Sequence, residues 1–330
     1  MTTKARPITP PPVRAEQRVR GLLVINPYSS GMTSRREVSI VSALRERMDL
    51  EVRRTERPGH APRIVEEFRS PDDIDVIIAC GGDGTANEVL NGMSLANGTA
   101  QERPAFAIIP AGGTNVLARS VGMRNHPVRA IEQLADAIVE RRATSINLGT
   151  VDERIFMFSA GVGLDAEVVK RMSQRRTGRR PSDLSHLVSI LGLYASQRFA
   201  LGDVMTIDVD GDEEEFRAAM LLVGNTTPWT YVGRIPMHFT PDCTLQDGLD
   251  FIAPAHANAA YAMRNAAQAM GVGRRTRMLV DDERARLHHD VDHFTVTCDE
   301  PLAVQADGEY LGDLTHIEFG LLRDTVRFVY

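Results

Sequence analysis

The sequence predicts an α/β protein in two parts: an N-terminal doubly wound parallel-sheet domain over residues 20–145 and a C-terminal antiparallel, sheet-rich domain over 146–330. Three observations carry this reading. Up to about Arg141, short apolar runs alternate with helical spacings, the pattern of a parallel sheet with crossover helices. Beyond Ile146 strand-like runs follow one another, and Asp210-Gly211 supplies a hairpin turn between two of them. The length, 330 residues, also exceeds the roughly 250 to 300 at which a single core stops growing.

Taken in order, residues 1–19 hold Pro7, Pro10, Pro11 and Pro12 among polar neighbours and read as a disordered tail. Gly21–Asn26 is the first buried strand, followed by the small-residue turn Pro27-Tyr28-Ser29-Ser30-Gly31 and a helix through Met48. Leu50–Thr55 is a strand and Ala61–Phe68 a helix. Val76–Cys80 is β-branched and apolar, as expected of a strand covered on both faces. It breaks into Gly81-Gly82-Asp83-Gly84-Thr85, after which Ala86, Val89, Leu90 and Met93 have helical spacing. Ala105–Pro110 is the fourth strand; Ala111 to Asn115 turns, and Val128–Arg141 is helical. In the second domain the strands are Ile155–Phe158, Val204–Val209, Phe216–Gly224, Leu249–Ala253, Phe294–Cys298 and Val326–Tyr330. The helices there are Val162–Met172, Ser185–Gln197 and Ala257–Met270.

The glycine turns point to chemistry. A helix N-terminus opened by Gly81, Gly82 and Gly84 is an anion site, for phosphate above all. Asp83 would repel that ligand unless a cation bridged them, which suggests Mg²⁺ and a nucleotide. In a doubly wound sheet the turns after strands one, three and four share one edge and form a nucleotide cradle. The only lysines are Lys4 and Lys170, and neither follows a glycine, so there is no Walker A motif. Main-chain amides, arginines and metal must hold the phosphates instead.

Composition excludes other classes. With 43% hydrophobic and 25% charged residues and no apolar run near the roughly 20 residues of a membrane span, the reading is a cytoplasmic protein whose membrane contact is peripheral. A net charge of −6 argues against broad nucleic-acid binding. Cys80, Cys243 and Cys298 read as reduced core residues.

CGGDGTANEV at 80–89, with NPYSSG at 26–31 and IPAGGTNVLAR at 109–119, resembles the catalytic domain of the diacylglycerol kinase and sphingosine kinase superfamily, in its soluble bacterial branch. FSAGVGLDAEV at 158–168, VGN at 223–225, TLQDGLD at 244–250 and VQADGEYLG at 304–312 follow in that family's order. The resemblance implies an ATP- and Mg²⁺-dependent lipid kinase whose nucleotide domain faces a β-sandwich lipid domain across a cleft. It implies that Asn26, Pro27, Ser29, Ser30, Gly31, Thr55, Gly81, Gly82, Asp83, Gly84, Thr85, Asn87 and Thr114 line the nucleotide. Asp307 would be the general base, with Glu309 beside it. Thr244, Asp247 and Leu249 would form a structural magnesium site, Asp247 by its carboxylate and the others by main-chain oxygens.

Independently of the family, phosphoryl transfer needs in-line positioning, a metal on the phosphates and a carboxylate to orient the attacking hydroxyl; Asp83 and Asp307 suit the last two roles. The expected acceptor is a lipid hydroxyl, diacylglycerol first. Two alternatives stand beside it: a small-molecule kinase of NAD-kinase type, and a nucleotide-regulated lipid-binding protein without turnover. Lys170, Arg171, Arg175, Arg176, Arg179 and Arg180, ahead of the amphipathic stretch 184–194, are a candidate patch for anionic lipid headgroups. Phe156, Phe158, Val162, Leu164, Trp229 and Tyr231 are the expected wall of the lipid cleft. His288–His293 reads as a solvated loop, and Asp208–Asp212 as a hairpin whose glycine is misplaced for a calcium loop. A homodimer is compatible with the sequence.

Overall fold

A computed structural model of the chain describes residues 18–68, 74–93, 95, 99–174, 202–256 and 285–330. The predicted tail through residue 17 and the helices expected at 185–197 and 257–270 lie outside the described residues. The chain divides into two units, Met1–Asn147 with Leu322–Tyr330, and Leu148–Leu321.

The first unit runs β1 (Arg20–Ile25), α1 (Ser34–Arg47), β2 (Asp49–Arg54), α2 (Ala61–Glu66), β3 (Val76–Gly81), α3 (Asp83–Gly92), β4 (Ala105–Pro110), α4 (Val116–Ser120) and α5 (Pro127–Val139). The strands are parallel in the order β2-β1-β3-β4. Every residue of β3 and β4 is buried because both faces are covered. α1 packs with α5, and α2 with α3. β2 lies at the edge, and its Glu51, Arg53 and Arg54 are exposed, a charged rim that discourages further pairing. From β1 the chain winds outward to β2 and then crosses back to β3 and β4, so the strand order reverses between β1 and β3 and their carboxyl ends flank the crevice where such sheets hold ligands.

Val326–Tyr330, expected in the second domain, belongs to the first unit. Phe328 and Val329 pair in parallel with Phe106 and Ala107, and the Phe106 and Phe328 rings lie 5.6 Å apart. The buried Arg103 donates to Thr325 O at 2.9 Å, and Arg327 donates to Ala100 O at 3.1 Å and Arg103 O at 2.7 Å.

The second unit contains β5 (Thr144–Val151), β6 (Arg154–Phe156), β7 (Ser159–Val162), α6 (Leu164–Gln174), β8 (Met205–Val209), β9 (Phe216–Ala218), β10 (Leu221–Gly224), β11 (Thr230–Val232), β12 (Ile235–Met237), β13 (Leu249–Pro254), β14 (Ala285–Val291), β15 (His293–Ala306) and β16 (Glu309–Val329), the division falling within β5 and within β16. It is an antiparallel β-sandwich. One layer is β14-β13-β10-β7 with the end of β15; the other joins β9 and β8 to the start of β15, and continues through β16 to β5 and β6. β15 changes partner where its register with β16 shifts between Thr297 and Leu302, around Pro301, which has no N–H to donate. Leu221, Val223, Phe251, Ile207, Phe294, Val296 and Phe319 meet between the layers. On the opposite face of the first layer, Leu164, Val168, Met220, Leu222, Trp229 and Ile252 form a second cluster.

Several expectations change here. Phe216–Gly224 is two strands, because the chain leaves β9 in one layer and enters β10 in the other. The helix after β7 begins at Leu164, since Gly163, at φ +89°, ends the strand. His288–His293 is no loop: its first residues lie in β14, and His288 stacks on Phe251 at 4.7 Å and Phe216 at 5.5 Å. The expected cleft wall is divided, with Phe156 and Val162 in the core between layers and Leu164 and Trp229 in the other cluster. Cys80, Cys243 and Cys298 are buried and unpaired, and burial pushes the Cys298 thiol up to about 11. Among the described residues no helix is long and apolar enough to cross a membrane.

Candidate active site

In the first unit the three small-residue turns are joined by hydrogen bonds. Asn26 leaves β1 with its N–H on Cys80 O at 2.9 Å, and its Nδ2 donates to Thr85 Oγ1 at 3.1 Å in the first turn of α3. Gly31 N donates to Ala111 O at 2.8 Å, and Ala111 N to Gly81 O at 2.6 Å. A Cβ on Gly112 would lie 2.5 Å from the Gly82 Cα, so only glycine allows these two turns to touch. Gly82 is the N-cap of α3 and no side-chain hydrogen bond caps that helix, the arrangement of an anion site. Ser29 and Thr55 are buried, Thr55 N donating to Ile25 O at 2.9 Å, whereas Pro27 and Thr114 are half-buried and Ser30 is exposed. Asn87 is buried, 1% exposed, and its Oδ1 accepts from Asn91 Nδ2 at 2.9 Å. Glu88, not among the expected site residues, accepts from Gly59 N at 2.9 Å and Ala61 N at 3.3 Å, tying the loop after Thr55 to α3.

Asp83, expected to face the phosphates through a cation, has a carboxylate that accepts the main-chain N–H groups of Asn115, Val116 and Leu117 and its own. It therefore occupies the N-terminus of α4 and braces the turn after β3 against the turn after β4. Asn115 adopts the left-handed conformation, φ +52°, which Asn tolerates, and its side chain bonds Gly112 N at 2.9 Å and Gly112 O at 3.0 Å. Burial pushes the Asp83 carboxyl up to about 6, against the lowering effect of those amides.

In the second unit Asp307 and Gly308 have φ of +50° and +77°, the central pair of a tight turn between β15 and β16. Asp307 is 7% exposed. Its Oδ2 accepts from Met157 N at 2.8 Å, and its Oδ1 from Phe158 N at 3.0 Å and Ser159 N at 3.2 Å. Its own N–H returns a bond to Ser159 O at 2.7 Å. Asn225, in the VGN segment, secures the same residues from the other side, with Nδ2 on Met157 O and its N–H on Phe158 O, both at 3.0 Å. Three amides converging on one carboxylate fix its orientation and stabilise negative charge there. Glu309 is more open and accepts from Arg154 at 2.8 Å. Asn225, Asp165 and Gln305 were not singled out from the sequence as site residues, although FSAGVGLDAEV, VGN and VQADGEYLG contain them.

The family profile described as the diacylglycerol kinase catalytic domain matches residues 20–151, and the YegS C-terminal NAD kinase beta sandwich-like domain matches 159–319. The chain belongs to the diacylglycerol kinase superfamily. The diacylglycerol kinase of Bacillus subtilis is 28% identical over 245 residues, 73% of each chain, and that of Staphylococcus saprophyticus 29% over 238 residues, 70% of this chain and 71% of the other. Among solved structures, a Bacillus anthracis protein matches with a TM-score of 0.72 at 24% identity over 96% of both chains. A crystal structure described as a diacylglycerol kinase from the same organism matches at 0.68 and 21%, over 96% of this chain and 98% of that one. These two likenesses concern the fold.

For a diacylglycerol kinase superfamily member, the remaining implied features can be placed individually. Thr244 and Asp247 share a turn before β13, with Thr244 Oγ1 donating to Asp247 Oδ2 at 2.6 Å, and Leu249 is the first residue of that strand. Oxygen donors with one carboxylate suit a hard, partly hydrated cation, which is the chemistry of magnesium. Among the described residues no group of three His, Cys, Asp or Glu is placed to hold a metal. Of the basic run, Lys170 bonds Asp313 at 2.6 Å and Arg171 bonds Glu167 at 3.0 Å, while Arg175, Arg176, Arg179 and Arg180 lie outside the described residues.

Proposed function

We propose that this protein is an ATP- and magnesium-dependent lipid kinase that phosphorylates a lipid hydroxyl, converting diacylglycerol to phosphatidic acid. One observation carries the reading: Asp307, the acidic residue of the ADGE turn, is fixed by three main-chain amides in a chain whose other unit builds a three-turn phosphate cradle. The first unit supplies the nucleotide site, with α3 presenting main-chain N–H groups to phosphate and Asn26 and Asp83 setting the turns around it. Asp307 accepts the hydrogen bond of the acceptor hydroxyl and orients its oxygen toward the γ-phosphorus, a role for which position matters more than basicity. Glu309 lies two residues away, and Thr244, Asp247 and Leu249 are the residues that would hold a structural magnesium ion. Magnesium bound with the nucleotide neutralises phosphate charge.

Transfer of label from [γ-³²P]ATP into mixed micelles of a lipid extract, with products identified by mass, tests this reading. Phosphatidic acid is the expected product; label in NAD⁺ and none in lipid would favour the NAD-kinase alternative, and lipid binding without ATP consumption the non-catalytic one. Because Lys170 and Arg171 already have acidic partners, delivery to the membrane is proposed to rest on Arg175, Arg176, Arg179 and Arg180. Sedimentation with vesicles is expected to be stronger for phosphatidylglycerol than for phosphatidylcholine and to weaken when those four become Glu; equal sedimentation with both lipids would remove the patch from the proposal.

A further inference from the structure

The proposed chemistry leaves the half-buried carboxylate of Asp165 unused. Asp165 is the second residue of α6, and its Oδ2 accepts from Gln305 Nε2 at 2.8 Å. Gln305 is 1% exposed, lies two residues before Asp307, and its Oε1 accepts from Gly308 N at 2.9 Å. Both ends of this one amide are thus committed. An ionised carboxylate only accepts and an N–H only donates, so the pair of contacts admits a single orientation of the Gln305 side chain.

The turn it serves is a demanding one. Asp307 at φ +50° is in a region sparsely used by non-glycine residues, which persists where surrounding contacts over-determine it. From one side the amides of residues 157–159 hold the Asp307 carboxylate; from the other, Gln305 holds the N–H of the next residue. Asp165 also touches β7 directly, since a Cβ on Gly161 would lie 2.8 Å from its Oδ2. Burial pushes its carboxyl up to about 6, opposed by the Gln305 bond, so the group is kept in place despite its desolvation.

We propose that Asp165 is a positioning residue for phosphoryl transfer: it orients the Gln305 amide so that Gln305 pins Gly308 N–H and sets the angle at which Asp307 meets the acceptor hydroxyl. This rests on the assignment of Asp307 under Proposed function.

An exchange of the two side-chain types tests it in the full chain. Gln305→Glu sets two carboxylates against each other and is expected to lower kcat at least ~10-fold, with KM for ATP within about two-fold of wild type. Adding Asp165→Asn restores a donor and acceptor pattern of the same shape, with Asn donating to Glu and Glu accepting from Gly308 N, and is expected to recover most of that loss. The idea is overturned if Gln305→Glu keeps kcat within two-fold, or if the double variant is no better than Gln305→Glu alone. A second readout does not need the lipid reaction: amide hydrogen exchange at Gly308 is expected to be at least ~10-fold faster in Asp165→Ala than in wild type. Unchanged protection there overturns the proposal even if the wild type phosphorylates no lipid, the result that would sink the functional reading instead.

Discussion

Asp307→Asn is expected to lower kcat for lipid phosphorylation by roughly 10²–10⁴-fold while the protein remains folded and its KM for ATP changes little. Asparagine is the informative substitution because it tolerates the left-handed backbone at φ +50° and keeps one side-chain oxygen for the Phe158 and Ser159 amides. Its NH₂ then faces Met157 N, a donor against a donor, so that amide loses its acceptor at about 1–3 kcal/mol. Asp307→Ala would expose all three amides to that penalty and place alanine at positive φ, so inactivity there would confound misfolding with chemistry. Steady-state kinetics on Asp307→Asn beside thermal unfolding separate the two. A folded Asp307→Asn enzyme with kcat within two-fold of wild type would reduce Asp307 to a clamp on residues 157–159.

The Asp307 contacts explain why some of the fold was legible in the sequence and some was not. The strands of the first unit announce themselves locally: Val76–Cys80 and Ala105–Pro110 are apolar throughout because both faces are covered, and glycines follow because turns must touch. The last strand carried no such signal, since its partner Phe106 lies more than two hundred residues earlier and nothing in Val326–Tyr330 names it. The break inside Phe216–Gly224 was invisible for a related reason: the first piece alternates and the second is apolar throughout, both of them strand patterns, and only the sandwich demands that the chain change layer between them. His288 looked solvated because histidine beside aspartate usually is, yet its ring completes a stack with Phe216 and Phe251, and burial lowers its pKa. Motifs located the acidic turns but not which way their carboxylates point. GGDGT and ADGE both contain an aspartate that could serve a phosphate or a hydroxyl, and in each the carboxylate is first a receptor for backbone N–H groups.

That orientation of Asp83 leads to the second large effect. Its carboxyl is raised from 3.8 to about 6 in the folded protein, first by burial, so between those values the folded state holds a proton that the unfolded chain releases. Stability from this group is therefore greatest below about pH 4, falls as pH rises, and is level above about pH 6, a change on the order of 3 kcal/mol. Asp83→Asn abolishes that titration, so its urea midpoint should fall less than wild type's between pH 4 and 7. A residual slope remains from Asp165, also raised to about 6, and from Asp250, raised by burial. At pH 7 the protein accepts a poorly solvated, half-buried charge, and what it gains is the link from the GGDGT turn to the N–H groups of Asn115, Val116 and Leu117. Asp83→Ala removes that link and should raise KM for ATP at least ~10-fold, because the two turns that touch at Gly82 and Gly112 lose their brace. Parallel pH profiles for wild type and Asp83→Asn, together with an unchanged KM in Asp83→Ala, would mean that the carboxylate does its work elsewhere, and the metal-bridging role first read from the sequence would have to be reconsidered.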